Sequence, residues 1–252
     1  MTESLDRLTV LLGRPAELAQ PWCQAFRELG ARVIHQPALQ LDPATPGAAE
    51  LAALSDVRST DCSVFSSRPA LTHALTLPAI SDRLARTVSW AVGTQTARAL
   101  VEAGAGLVHS PADGAGADAL LADPAFPGAQ RVFLFAAKGG RKILAETLAR
   151  RGVEAIDVYV YRRSPAPMDP TAAEALDRAA PPIVVVGSSV AILEQLLALF
   201  GDTLKDQYLI SLSPRITEAA ARFPFAEVIA AQSPDLPSII QAARLIRDRN
   251  AF

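Results

Sequence analysis

Lysine is nearly missing from this chain. Only Lys138, Lys142 and Lys205 occur, so a side-chain cation that holds a ligand is expected to be an arginine, whose planar fork suits carboxylates. Cysteine is as scarce: Cys23 and Cys62 stand far apart without metal-ligand spacing, which argues against a disulfide framework or a cysteine metal centre. Cys23, between Trp22 and Phe26, reads as a buried apolar thiol on a helix face. His35, His73 and His109 are scattered and form neither a zinc set nor a triad. Neither G-x-G-x-x-G nor G-x-x-x-x-G-K-[ST] occurs, and "AKGGRK" (137–142) has two glycines without the rest of either pattern, so no nucleotide cofactor is expected. Charge of one sign is not in excess: 24 basic against 26 acidic residues give no field for nucleic acid or an anionic membrane. No run reaches the ~20 apolar residues of a membrane helix. The opening "MTESLDRLTVLLGRP" is broken too soon by Gly13, Arg14 and Pro15 to be a signal peptide. The expectation is a soluble cytoplasmic protein without metal, cofactor or nucleic acid.

What is there is repetition. Half of the 252 residues are hydrophobic and a fifth are charged, enough for one large domain or two smaller ones. Residues 8–36 read as strand, turn, helix and second strand, and residues 130–161 repeat the plan. Val10 and Gly30 are twenty residues apart, as are Val132 and Gly152, which suggests internal duplication. A second pair begins at "CSVFSSRPALTHAL" and at "PIVVVGSSVAILEQLL"; each continues into a strand, a hydroxyl-bearing turn and another helix. Strands such as "IVVVG" are continuous apolar runs, the pattern of parallel sheets covered by helices on both faces. The fold class is therefore α/β, with two similar parallel-sheet domains. Two proline-rich connectors, 35–47 and 158–170, imply that one domain is inserted into the other.

Four turns fall where strands end and helices begin: Ser66-Ser67, Gly93-Thr94-Gln95-Thr96, Ser188-Ser189 and Ser213-Pro214. In parallel α/β sheets ligands collect at such places, and the free N–H groups of a helix start suit a carboxylate or phosphate. Serine and threonine also cap helices there, and one residue can do both. Four turns in matching positions of two halves favour a shared ligand.

The segments "GRP" after the first strand, "FSSRPAL", "AVGTQTARAL", "GGRKILAETLARRG" followed by "VYVYRR", "SSVAIL" and "SPRITEAA" occur in a telling order. From about Val10 to Leu245 the chain resembles the uroporphyrinogen-III synthase family, cyclising hydro-lyases of tetrapyrrole biosynthesis that close hydroxymethylbilane while inverting its last ring. The resemblance implies a discontinuous first domain (1–36 and 165–252), an inserted second domain (43–157) and two linker strands (37–42 and 158–164). It places the substrate in a cleft between domains, and implies a monomer that receives it from hydroxymethylbilane synthase, with no cofactor or metal. Tyr161 matches the family's tyrosine and is implied as proton donor to the departing hydroxyl. Thr94 and Thr96 lie in the G-x-x-T-A turn, and Ser66, Ser67, Ser188, Ser189 and Ser213 supply the other loop hydroxyls; Arg14, Arg68 and Arg141 are cation candidates. Ser213 stands where glycine is usual, Ile216 where threonine is common, and Ala136-Ala137 where a cation is common. A non-catalytic two-lobed protein that binds small carboxylates is the competing expectation.

Overall fold

A computed structural model describes residues 4–140 and 142–250. The elements follow in the order β1 (Thr9–Leu12), α1 (Ala16–Glu28), β2 (Arg32–His35), β3 (Leu39–Pro43), α2 (Ala48–Ser55), β4 (Asp61–Phe65), α3 (Arg68–Ala74), α4 (Ile80–Arg86), β5 (Val88–Ala91), α5 (Thr94–Glu102) and β6 (Leu107–His109). There follow α6 (Ala117–Ala122), β7 (Arg131–Ala137), α7 (Ile143–Arg150), β8 (Glu154–Pro165), α8 (Pro170–Asp177), β9 (Ile183–Gly187), α9 (Val190–Phe200), β10 (Tyr208–Ser211), α10 (Pro214–Ala220), β11 (Glu227–Ala230) and α11 (Leu236–Arg249). The chain divides into two units: one takes the residues up to Gln40 and from Ser164 on, the other Leu41–Arg163.

The first unit is built on a five-stranded sheet ordered β11-β10-β9-β1-β2, the second on a six-stranded sheet ordered β3-β8-β7-β4-β5-β6. All four pairings of the first sheet are parallel, as are β4–β5, β4–β7, β5–β6 and β7–β8 of the second. Reversing the second order superposes β6-β5-β4-β7-β8 on β11-β10-β9-β1-β2, with β3 left over. The duplication suggested by sequence spacing is thus carried by the order of the strands themselves.

Both sheets are sandwiched, which is why their central strands carry no polar alternation. In the first unit Val10, Leu12, Val184, Val186 and Ile210 pack toward α1 and α11, against Trp22, Phe26, Ile239 and Ile246. Leu11, Ile183, Val185 and Leu209 fill the other face with Leu193, Leu196 and Ile216. In the second unit Phe65, Phe133, Phe135 and Val158 face α3 and α5, while Cys62, Val64, Val132 and Leu134 face α6 and α7. Both cysteines are buried and free, and burial pushes the Cys62 thiol up to about 12, so it is an inert core group. Among the described residues no helix is long and apolar enough to cross a membrane, and no group of histidine, cysteine, aspartate or glutamate is placed to hold a metal.

Three helices end in the same way. After α1, α5 and α7 the chain turns through Gly30, Gly104 and Gly152, all at positive φ. Gly30 donates its N–H to Arg27 and Ala31 to Phe26; Gly104 and Ala105 do the same to Val101 and Leu100, and Gly152 and Val153 to Ala149 and Leu148. This pair of bonds satisfies carbonyls that the helix leaves open and returns the chain to the sheet.

Far from these turns, at the amino edge of the second sheet, lies a buried ionic cluster. Asp61, the first residue of β4, accepts two bonds from Arg131, the first residue of β7, at 2.8 and 2.7 Å, and one from Arg83 at 3.1 Å. Arg131 also reaches Asp56 at 3.0 Å, and Arg83 donates to the Leu54 carbonyl at 3.0 Å with its guanidinium 3.9 Å above the Phe133 ring. Burial opposes ionisation of Asp61, but the arginines and the Arg58 N–H outweigh it and hold the carboxyl below its ordinary range. The cluster fastens α2 and α4 to the sheet.

Candidate functional site

Helix starts line the carboxyl edges of both sheets. Ser67 caps α3 with its Oγ accepting the Ala70 N–H at 3.2 Å, and Ser189 caps α9 in the same geometry, accepting the Ile192 N–H at 3.2 Å. Gly93 and Ser213 begin α5 and α10 in extended conformation without a side-chain cap. The four turns therefore form two matched pairs, one hydroxyl-capped and one uncapped in each unit.

In the second unit the carboxyl ends of β4, β7 and β8 surround a cleft of about 310 Å³. Its walls include Ser66, Ser67, Tyr159, Tyr161, Asp157 and Arg163. Tyr161 is 2% exposed. Its Oη lies 3.3 Å from Ser67 Oγ, and Arg163 donates to the same oxygen at the long distance of 3.5 Å. The ring stacks on His73 with centroids 5.4 Å apart.

A one-residue irregularity in β8 aims this tyrosine. The register runs Leu134↔Asp157, Phe135↔Val158, Ala136↔Tyr159 and then Ala137↔Tyr161, so Val160 is an extra residue without a register partner in β7. Side chains alternate faces along a strand, and the extra residue reverses the parity. Asp157 and Tyr159 therefore share one face of the sheet, and Tyr161 joins Val158 on the face of α3, beside Ser67 and His73. The Tyr159 hydroxyl donates to Asp157 Oδ2 at 2.9 Å. Burial first, and then the Asp157 carboxylate, push the Tyr159 phenol above its usual value, so it stays protonated.

The remaining expected residues are distributed as follows. Arg68 opens α3 on the exposed side and does not line the cleft, and Thr94 is exposed at the start of α5. Thr96 is 6% exposed on the inward face of α5. Its counterpart in the duplicated unit is Ile216, 2% exposed and packed in the core against Leu209 and Ala220. The isoleucine follows from that inward position, which takes either residue as packing. Arg141 lies outside the described residues. Ala136 lines the cleft as a small apolar wall.

In the first unit Arg14 follows β1, half-buried, with its guanidinium 4.0 Å from the Trp22 ring centroid and its carbonyl accepting from His35 Nε2 at 2.9 Å. Burial lowers its pKa, and among the described residues no carboxylate pairs with it. Ser188 and Ser189 follow the neighbouring strand β9; the Ser188 Oγ is buried without a hydrogen-bond partner among the described residues. Ser213 and Thr217 line a separate cavity of about 580 Å³ beyond β10. Sequence reading passed over Asp157, Tyr159 and Arg163, although the alternation in "VYVYRR" put four polar or aromatic groups at one strand end.

Duplicated parallel sheets with helix starts at their carboxyl edges, and a tyrosine-lined cleft in the second unit, define a two-unit α/β protein whose strand ends are the places where such sheets hold small ligands. The crystal structure of a uroporphyrinogen-III synthetase from Helicobacter pylori matches with a TM-score of 0.68 at 14% identity, covering 95% of this chain and 99% of that one. A mutant uroporphyrinogen III synthase from Thermus thermophilus matches at 0.55 with 20% identity, covering 96% and 99%. These likenesses concern the fold. The family model of uroporphyrinogen-III synthase HemD matches residues 20–241, and the chain belongs to that family of enzymes.

Proposed function

We propose that the protein is a cyclising hydro-lyase that converts hydroxymethylbilane to uroporphyrinogen III with loss of water and inversion of the last ring. Family membership supports the substrate class, and one observation carries the chemistry: the Tyr161 hydroxyl stands at a cleft wall between Ser67 and Arg163. The pyrroles supply the electrons of this reaction, so the protein has to orient the chain, exclude water and give one proton to the leaving hydroxyl. Tyr161 gives that proton, and the Arg163 guanidinium steadies the phenolate left behind. Ser66, Ser67 and the N–H groups of the α3 start take one set of substrate carboxylates. In the first unit Arg14, whose charge has no carboxylate partner among the described residues, and the α9 start with Ser188 and Ser189 take others. Arg68, Thr94 and Ser213 remain outer candidates for carboxylate contact, Arg141 is a candidate by the family resemblance alone, and Thr96 supports its turn from inside. On this reading the enzyme is a cytoplasmic monomer that takes its substrate from hydroxymethylbilane synthase.

The test is product identity. Protein given freshly made hydroxymethylbilane, without added metal or nucleotide, yields the type III isomer on chromatography. Spontaneous type I product alone, with substrate bound, would return the chain to the carboxylate-binding reading.

A further inference from the structure

The cleft that holds Tyr161 has a second polar wall that the proposed reaction has not used. Asp157 and Tyr159 stand on the other face of the β8 irregularity, and both also line an adjoining cavity of about 340 Å³. Around them the cleft is largely apolar, with Val64, Leu134, Phe135 and Leu144. Asp157 forms no ion pair among the described residues, and its carboxylate accepts a hydrogen bond from Tyr159. The surroundings include charged groups, since Lys138, Arg162 and Glu50 line the adjoining cavity and Arg163 the cleft; none of the cations pairs with Asp157 within 4 Å, Arg162 pairs with Asp42, and Arg163 leans over Tyr161. A carboxylate held by one phenol at an apolar wall is poorly suited to an enzyme whose substrate is a polyanion, unless it meets the one part of that substrate that becomes positive.

We propose that Asp157 is a catalytic residue that accepts the N–H of the reacting pyrrole and stabilises the cation formed when the hydroxyl leaves. The inference deepens the cyclase reading and rests on it. In the step concerned, the C–O bond breaks with its electron pair going to oxygen, which takes the Tyr161 proton and departs as water. The pyrrole nitrogen lone pair forms the new exocyclic double bond through the ring, leaving a positive azafulvenium and a tyrosinate. That tyrosinate regains its proton from the one the macrocycle loses after ring closure, so charge and protons balance. The pyrrole N–H is a weak partner before ionisation and a strong one after it, so its bond to Asp157 tightens as the barrier is crossed. The apolar walls strengthen that attraction. A volume of about 310 Å³ sits at the small end of ligand pockets and suits one substituted ring rather than four. Tyr159 fixes one carboxylate oxygen and leaves the other for the ring.

The experiment is the Asp157→Asn variant, with Asp157→Glu as the charge-keeping partner, each compared with wild type for kcat and KM on hydroxymethylbilane and for thermal midpoint. Removing a negative charge beside a polyanion favours ground-state binding, so kcat falls at least tenfold while KM stays or falls; Asp157→Glu recovers most of kcat. A residue that merely braces the strand would lower the midpoint and leave that opposed split unseen. If Asp157→Asn melts below the assay temperature, Asp157→Ser serves as the second neutral variant. Wild-type kcat in a folded neutral variant overturns the inference while the wild-type enzyme still makes the type III isomer. Absence of that isomer from the wild type overturns the cyclase reading instead.

Discussion

Tyr159 and Tyr161 are two residues apart and spend their hydroxyls differently. One donates to Asp157 at 2.9 Å and is committed; the other meets Ser67 and Arg163 at 3.3 and 3.5 Å, and the proposed reaction makes it the proton donor. Tyr161→Phe should therefore lower kcat by about two to four orders of magnitude, the range of general acid catalysis, with KM little changed. Steady-state rates of type III formation check this, and an unchanged kcat removes Tyr161 from the chemistry. Ser67 and Ser189 offer a matched comparison, because both cap a helix at the same 3.2 Å distance. Each alanine variant should lose about 1 kcal/mol of stability from the missing cap. Ser67→Ala should also lower kcat, since Ser67 touches the tyrosine, whereas Ser189→Ala, at a helix start proposed to hold a carboxylate, should act on KM; equal kcat in the two variants would separate Ser67 from the chemistry.

At the scale of elements, the fold was legible wherever its cause is local. Apolar runs marked β1, β4, β7 and β9, and Gly30, Gly104 and Gly152 mark helix stops because the reversal needs a positive φ that glycine adopts freely. The cleft was less so. Strict alternation in "VYVYRR" puts Tyr159 and Tyr161 on one face, and the extra Val160 undoes that through pairing with a strand some twenty residues earlier. The inward turn of Thr96 shows only once its twin Ile216 is seen in the core. The Asp61 cluster was invisible for the same reason, joining residues from β4, α4 and β7. It makes a prediction of its own. The Asp61 pKa is lowered by folding, so its contribution is complete above the unfolded value near ~3.9 and is lost as pH falls through the folded value. Arg131→Met removes the chief opponent of burial. It should cost about 3–5 kcal/mol near neutrality and move the acid unfolding transition to higher pH. Urea midpoints measured across acidic to neutral pH check both, and an unmoved acid transition would mean that Asp61 does not govern it.

At the scale of the whole molecule, one design is used twice and equipped differently. The strand order repeats, yet the register place that carries Asp157 beside Leu134 carries His35 beside Leu12 in the first unit, where the imidazole ties down a loop carbonyl. The duplication kept the sheets and the helix starts and let the strand-end chemistry diverge. There is also a consequence for synthesis. The earliest strand, β1, is an inner member of its sheet, flanked by β2 and by β9, with Thr9 opposite Ile183. Residues 41–163 can gather their own sheet as soon as they leave the ribosome. The β1-α1-β2 unit must meanwhile wait, one flank open, until the strand at Ile183–Gly187 has been translated, so an early stretch of chain is closed only by a strand made long after it.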